Sequence, residues 1–154
     1  MNSKNIKLGV YGGLAGGAVF GAIMGMMGTL PMIGQMAGYP SAAFGFLVHM
    51  VISAVIGASF AILFGGSVRS AAGGLSRGLA FGGAWWLLGP LTLMPLFMGM
   101  GLGVNWNAAA ASAMIPSLVG HLIYGGILGA SYAVLRNRAT GSAKSFAGEL
   151  RPAD

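Results

Sequence analysis

Residues 47–63 read LVHMVISAVIGASFAIL and residues 119–135 read VGHLIYGGILGASYAVL. Neither stretch holds a Lys, Arg, Asp or Glu, and each belongs to a longer apolar run, 42–64 and about 114–135. About 20 apolar residues in a helix cross the hydrocarbon core of a bilayer. Both runs are long enough. They also align with each other: His49 falls on His121, Gly57-Ala58-Ser59 on Gly129-Ala130-Ser131, and Ala61 and Leu63 on Ala133 and Leu135.

Working outward, two more apolar runs precede these, at about 8–29 and about 78–98. They match more loosely, Gly9 with Gly73, Gly25 with Gly89, Pro31 with Pro95 and Met36 with Met100. The expectation is an all-α fold, a four-transmembrane-helix bundle made of two tandem two-helix repeats. Repeat one covers about 8–64 and repeat two about 72–135, within a single membrane domain over 1–154. Two crossings per repeat insert both copies the same way up, so a pseudo-twofold axis should run along the membrane normal.

Composition supports this. Hydrophobic residues make up 56% of the 154 and charged residues 6%, against about 25% charged in a soluble domain. The eight basic residues, Lys4, Lys7, Arg69, Arg77, Arg136, Arg138, Lys144 and Arg151, cluster beyond the apolar runs. The N-terminus, the middle loop and the tail 136–154 hold all of them. By the positive-inside rule both termini are cytoplasmic (N-in/C-in), in the inner membrane of the cell, and 136–154 is a cytoplasmic tail. No nucleic-acid partner is expected, because the charges do not gather on one water-exposed face. Lys4 and Lys7 precede an apolar run of over twenty residues with no convincing cleavage site, which reads as a first membrane helix and not a leader.

No cysteine is present, and the two acids, Glu149 and Asp154, both lie in the tail. Carboxylate acid–base catalysis and carboxylate ion sites at membrane depth are therefore excluded, and the chain is not expected to be an enzyme. Small residues recur every four positions: Gly9, Gly13, Gly17, Gly21 and Gly25; Ser53, Gly57, Ala61 and Gly65; Gly125, Gly129 and Ala133. Lipid tails are as apolar as leucine, so membrane helices associate by close backbone approach, which such spacing permits. Packing within the chain is the first reading and a homo-oligomer seam the second.

His49 and His121 are the only ionisable residues expected deep in the membrane besides tyrosines, and an intramembrane polar residue is a candidate site. The ten methionines after Met1 all fall in the outer half of this topology. Met32 and Met36, and Met94 and Met98, have MxxxM spacing, one helical turn. Imidazole and thioether ligands suit Cu(I), and paired His or His/Met suit haem iron. The candidate site is thus His49 and His121 for a cofactor, with Met32, Met36, Met94 and Met98 added for a metal. The plainer readings stand beside it: a histidine bonded across a helix interface, and methionine as gap-filler. Pro31, Pro90 and Pro95 kink helices or line a solute path. Trp85 and Trp86 read as space-fillers, and 107–113 as a short interfacial helix capped by Asn107.

The stretch HLIYGGILGASYAVL from His121, with its echo at His49, resembles the last helix of small four-helix membrane proteins of unknown function in bacteria and archaea. The resemblance implies the fold and no activity. The functional expectation is a non-catalytic integral membrane accessory subunit or assembly factor of a haem- or copper-containing energy-converting complex. Its partners are the bilayer and either a larger membrane complex or a second copy of itself. Two alternatives stay open: a direct haem or Cu(I) binding or transfer protein, and a small-solute channel.

Overall fold

The structure, a computed structural model, describes residues 3–149, with the backbone alone from residue 142. The described residues are helical throughout apart from turns: α1 Ser3–Met26, α2 Leu30–Met36, α3 Ala42–Phe64, α4 Ala71–Leu88, a π-helical turn Gly89–Leu93, α5 Met94–Phe97, α6 Ala108–Ala113 and α7 Ile115–Glu149. Four segments are long and apolar enough to cross a membrane, Ser3–Met26, Ala42–Phe64, Ala71–Phe97 and Ile115–Gly141. The chain is an all-helical, multi-pass membrane protein.

Local chemistry sets the boundaries. Ser41, Ser70 and Asn107 stand in extended conformation at helix starts. Their side-chain oxygens accept from Phe44 N at 3.3 Å, Gly73 N at 3.1 Å and Ala110 N at 2.9 Å. Each satisfies an amide that the helix leaves free. Gly28 ends α1 with φ +68°, while Thr29 N reaches back to Met24 O and Gly28 N to Gly25 O. That left-handed step suits glycine, which has no Cβ to clash. The short helix expected around 107–113 is present, with Asn107 as its cap.

Three of the four helix seams are made by glycine. Gly9, Gly13 and Gly17 of α1 lie against Gly57 and Ser53 of α3, running antiparallel to it. Gly74, Gly78 and Gly82 of α4 lie against Gly129, Gly125 and His121 of α7, again antiparallel. Gly12 and Gly16 place α1 against Leu128 and Tyr124 of α7. A Cβ on Gly13 would sit 2.9 Å from Gly57 Cα, and one on Gly125 would sit 2.9 Å from Gly82 Cα. Real side chains never come so close, so these backbones touch only because the side chains are missing.

The fourth seam, α3 against α4, is closed by rings. Phe60 lies 5.4 Å and Phe64 5.8 Å, centroid to centroid, from Phe81. Phe60, Leu128 and Tyr132 are fully buried and fill the axis of the bundle. Below them Arg136 donates to Val68 O, tying α7 to the α3–α4 connection.

The packing shifts one register read from sequence. Gly73 aligns with Gly9 in sequence, but Gly73 faces only Ser70 and Arg77. Gly74 does the work of Gly9: each meets a glycine and an alanine one turn apart, Gly57 and Ala61 or Gly129 and Ala133. The sequence alignment at that offset also runs through Pro31 and Pro95. Between seam and proline the first half breaks into a turn at 27–29, whereas the second continues through a π turn. The two routes differ by a residue. Two boundaries also move: the third span begins at Ala71, and the last helix passes Leu135 to Glu149. Of the tail 136–154, residues 150–154 lie outside the described residues.

Candidate functional site

α1 and α4 run in the same direction, so their C-terminal ends, with α2, α5 and α6, gather at one end of the bundle. That end carries the methionines. About two turns inward lies a layer of three rings: Phe20 of α1, His49 of α3 and His121 of α7. Phe20 meets His49 edge-on at 5.6 Å and His121 at 4.9 Å. Both imidazoles therefore share one level, on either flank of a phenyl ring. Phe20 reaches that position because Gly120 has no side chain; a Cβ there would strike the ring.

The two histidines are bonded differently. His49 is buried, and its Nε2–H donates to Gly17 O at 3.0 Å, with Ser53 Oγ 3.4 Å from the same nitrogen. Ser53 O in turn accepts from the Tyr124 hydroxyl at 2.9 Å. His49, Ser53 and Tyr124 thus form a buried polar chain joining α1, α3 and α7. His121 is half-buried. Its Nδ1–H donates to Ser117 O at 2.8 Å, one turn back on its own helix. A carbonyl can only accept, so in the neutral imidazole the proton sits on Nδ1 and the lone pair on Nε2. That nitrogen faces the π turn, 3.7 Å from where a Cβ on Gly89 would stand.

The methionine pairs divide between two segments. Met32 and Met36 lie on α2, which seats on α3 through Gly34 and Gly45. Met94 opens α5 and its carbonyl accepts from Met98 N at 3.0 Å, so both MxxxM pairs do span one turn. Met32 and Met98 are 45% and 42% exposed, whereas Met36 and Met94 are half-buried. Among the described residues no group of three His, Cys, Asp or Glu converges on a metal position. Any metal here would need thioethers.

Sequence reasoning missed Phe20, Ser53 and Tyr124. One signal was available: the aligned stretches 47–63 and 119–135 differ just before the histidine, Val48 in one and Gly120 in the other, and the glycine marks where Phe20 inserts. Trp85 packs against the core, whereas Trp86 does more than fill space. Trp86 Nε1–H donates to Met114 O at 3.1 Å, holding α4 to the head of α7, and Trp106 Nε1–H donates to Thr92 Oγ1 at 3.1 Å.

The unequal bonding has a measurable consequence. His49→Ala empties a buried site and strips one wall from Phe20, with an expected cost on the order of 2–4 kcal/mol. Its interhelical hydrogen bond is the smaller share, about 0.6 kcal/mol on average in membrane proteins. His121→Ala removes a half-buried ring whose bond stays within its own helix, and is expected to cost less than half as much. Thermal unfolding in detergent reads both, and equal losses would contradict the division of roles. Compared with protein-family models, with curated proteins and with solved structures, the chain matches none of them, so its functional reading rests on its own residues.

Proposed function

We propose that this chain is a non-catalytic membrane subunit or assembly factor working with a larger haem- or copper-containing energy-converting complex in the inner membrane. One observation carries the reading: among the described residues the core is filled by large side chains. Phe60, Leu128 and Tyr132 plug the axis and His49 is spent on Gly17, while Leu47, Val51 and Val55 of α3 are each more than 60% exposed. A bundle filled inside and apolar outside acts through its outer faces. The plugged axis favours this over solute conduction.

Internal duplication belongs to the same proposal. Its support is the shared use of Gly9, Gly13 and Gly17 on one side and Gly74, Gly78 and Gly82 on the other. The N-in/C-in orientation is also proposed. Lys4, Lys7, Arg69 and Arg136 all fall at the end opposite the methionines, which the positive-inside rule assigns to the cytoplasm.

The test is purification of the full chain in mild detergent, with identification of co-purifying proteins, metal analysis and an absorption spectrum. A larger haem- or copper-containing assembly is expected to accompany the chain. Isolation as a lone monomer or homo-oligomer with no partner would overturn the accessory role. A reporter fused after residue 154 is expected to respond only from the cytoplasm. A second reading, direct binding of haem or Cu(I), is favoured by the open Nε2 of His121; it expects a Soret band or stoichiometric copper on the isolated chain.

A further inference from the structure

We propose that Arg77 binds the phosphate of an anionic phospholipid, in the leaflet at the basic end of the bundle. The inference rests on the membrane fold alone and goes beyond the accessory role.

The sequence sets the problem. Arg77 is the one charged residue in the span Ala71–Phe97. It stands six residues past Ala71, about 9 Å along the helix at 1.5 Å per residue. An ionisable group at that depth calls for a counter-charge or a backbone carbonyl. The chain brings no counter-charge near. Its two acids are Glu149 and Asp154, both in the tail. Gly78, next to Arg77, packs on Gly129, and α7 runs twenty residues further, about 30 Å, before it reaches Glu149.

Arg77 is half-buried, and its Nη1–H donates to Gly73 O at 3.0 Å. That carbonyl lies one turn nearer the start of α4. The side chain therefore leans outward to headgroup level, as long basic side chains at helix ends do. Among the described residues Gly73 O is its one partner, so one of five N–H donors is used. A guanidinium fixed at one nitrogen presents its remaining N–H groups as a fork. Such a fork matches two oxygens of a phosphate.

The surroundings favour a lipid. Ala80 and Ala84 follow Arg77 at steps of three and four, so they share its helix face, and both are exposed. Side chains this small leave a shallow track leading inward from the guanidinium, where an acyl chain can lie. Arg69 and Arg138 are exposed at the same end, and Arg136 is fixed on Val68 O. Each basic group near the surface adds to the attraction for anionic lipid. Phosphates line headgroup level around the whole bundle, so a lipid meets the fork without a partner protein supplying a matched carboxylate.

The test adds phosphatidylglycerol and phosphatidylcholine of matched chains to the detergent-purified full chain and counts bound lipids by native mass spectrometry. Wild type is expected to prefer phosphatidylglycerol by about tenfold, the scale of one bidentate charge-assisted contact. Arg77→Gln is expected to lose most of that preference. Arg77→Lys keeps the charge without the fork and is expected to lose part of it. Arg138→Gln is expected to bind as wild type does. Melting in lipid-free detergent checks that each variant folds, and Arg77→Lys carries the test if Arg77→Gln melts early. Millimolar inorganic phosphate is expected to leave the lipid in place, and displacement would overturn lipid as the ligand. An undiminished preference in folded Arg77→Gln, or none in wild type, would overturn the assignment. If Arg77→Gln instead sheds a co-purifying protein with lipid preference unchanged, the fork belongs to a partner's carboxylate.

Discussion

Gly78→Ala is expected to open the α4–α7 seam, and Gly73→Ala, five residues earlier on the same helix, to leave it shut. A Cβ on Gly78 collides with Gly125 O and lies 2.9 Å from Gly125 C and 3.1 Å from Gly129 Cα. These are backbone atoms of a helix and cannot rotate aside, so the helices must separate along their length. Overpacking costs about 1–3 kcal/mol in cores that can relax, and about 3 kcal/mol is expected here. Within lipid no hydrophobic gain offsets the loss of close contact. On Gly73 a Cβ meets only Arg77 Nη1 at 3.1 Å and Ser70 Oγ at 3.2 Å, side-chain atoms that need give only a few tenths of an ångström, so the Ser70 cap on Gly73 N can be kept. Alanine there gains up to about 1 kcal/mol of helix propensity. Unfolding of the two variants in detergent, followed by circular dichroism, is expected to separate them clearly. Similar stabilities would mean that the α4–α7 register is wrong by a residue.

Phe60→Ala is expected to be the most damaging truncation away from the glycine seams. Phe60 is fully buried and touches Phe64 at 5.2 Å, Phe81 at 5.4 Å and Tyr132 at 5.7 Å. It joins α3 to both α4 and α7. Removing a buried phenylalanine costs about 3–5 kcal/mol, part lost contact and part cavity. The loss should concentrate on the α3–α4 seam, so cysteine pairs placed across that seam are expected to cross-link more slowly while pairs across α1–α3 are unchanged. Val55→Ala, on the exposed face of the same helix, serves as control and is expected to fall within about 0.5 kcal/mol of wild type. A Phe60→Ala variant as stable as that control would show that rings do not close the bundle.

The histidine pair illustrates how far the sequence could be read. The alignment of residues 47–63 with 119–135 places His49 and His121 at one level, and their shared contact with Phe20 agrees with it. That alignment does not show how either ring is bonded. Which ring nitrogen is occupied depends on what lies across the interface, Gly17 O for one and the ring's own Ser117 O for the other. Such partners come from a different helix or a particular rotamer, and no periodicity records them. The MxxxM pairs are similar: spacing places each on one helical turn, yet only packing decides that Met94 is half-buried while Met98 is exposed.

What this sequence determined by itself was the membrane, the four spans, the Asn107 cap and the small residues that let backbones meet. Those properties follow from apolar length, from charge and from side-chain size, all local quantities. Tertiary structure decided that Gly74 and not Gly73 lies in the seam, that Phe20 stands between the imidazoles, and that one histidine is bonded across the bundle while the other keeps a nitrogen open. Each of these depends on the rotation and register of one helix against another. A shift of a single residue turns a helix by about 100°, too little to alter composition and enough to change every contact.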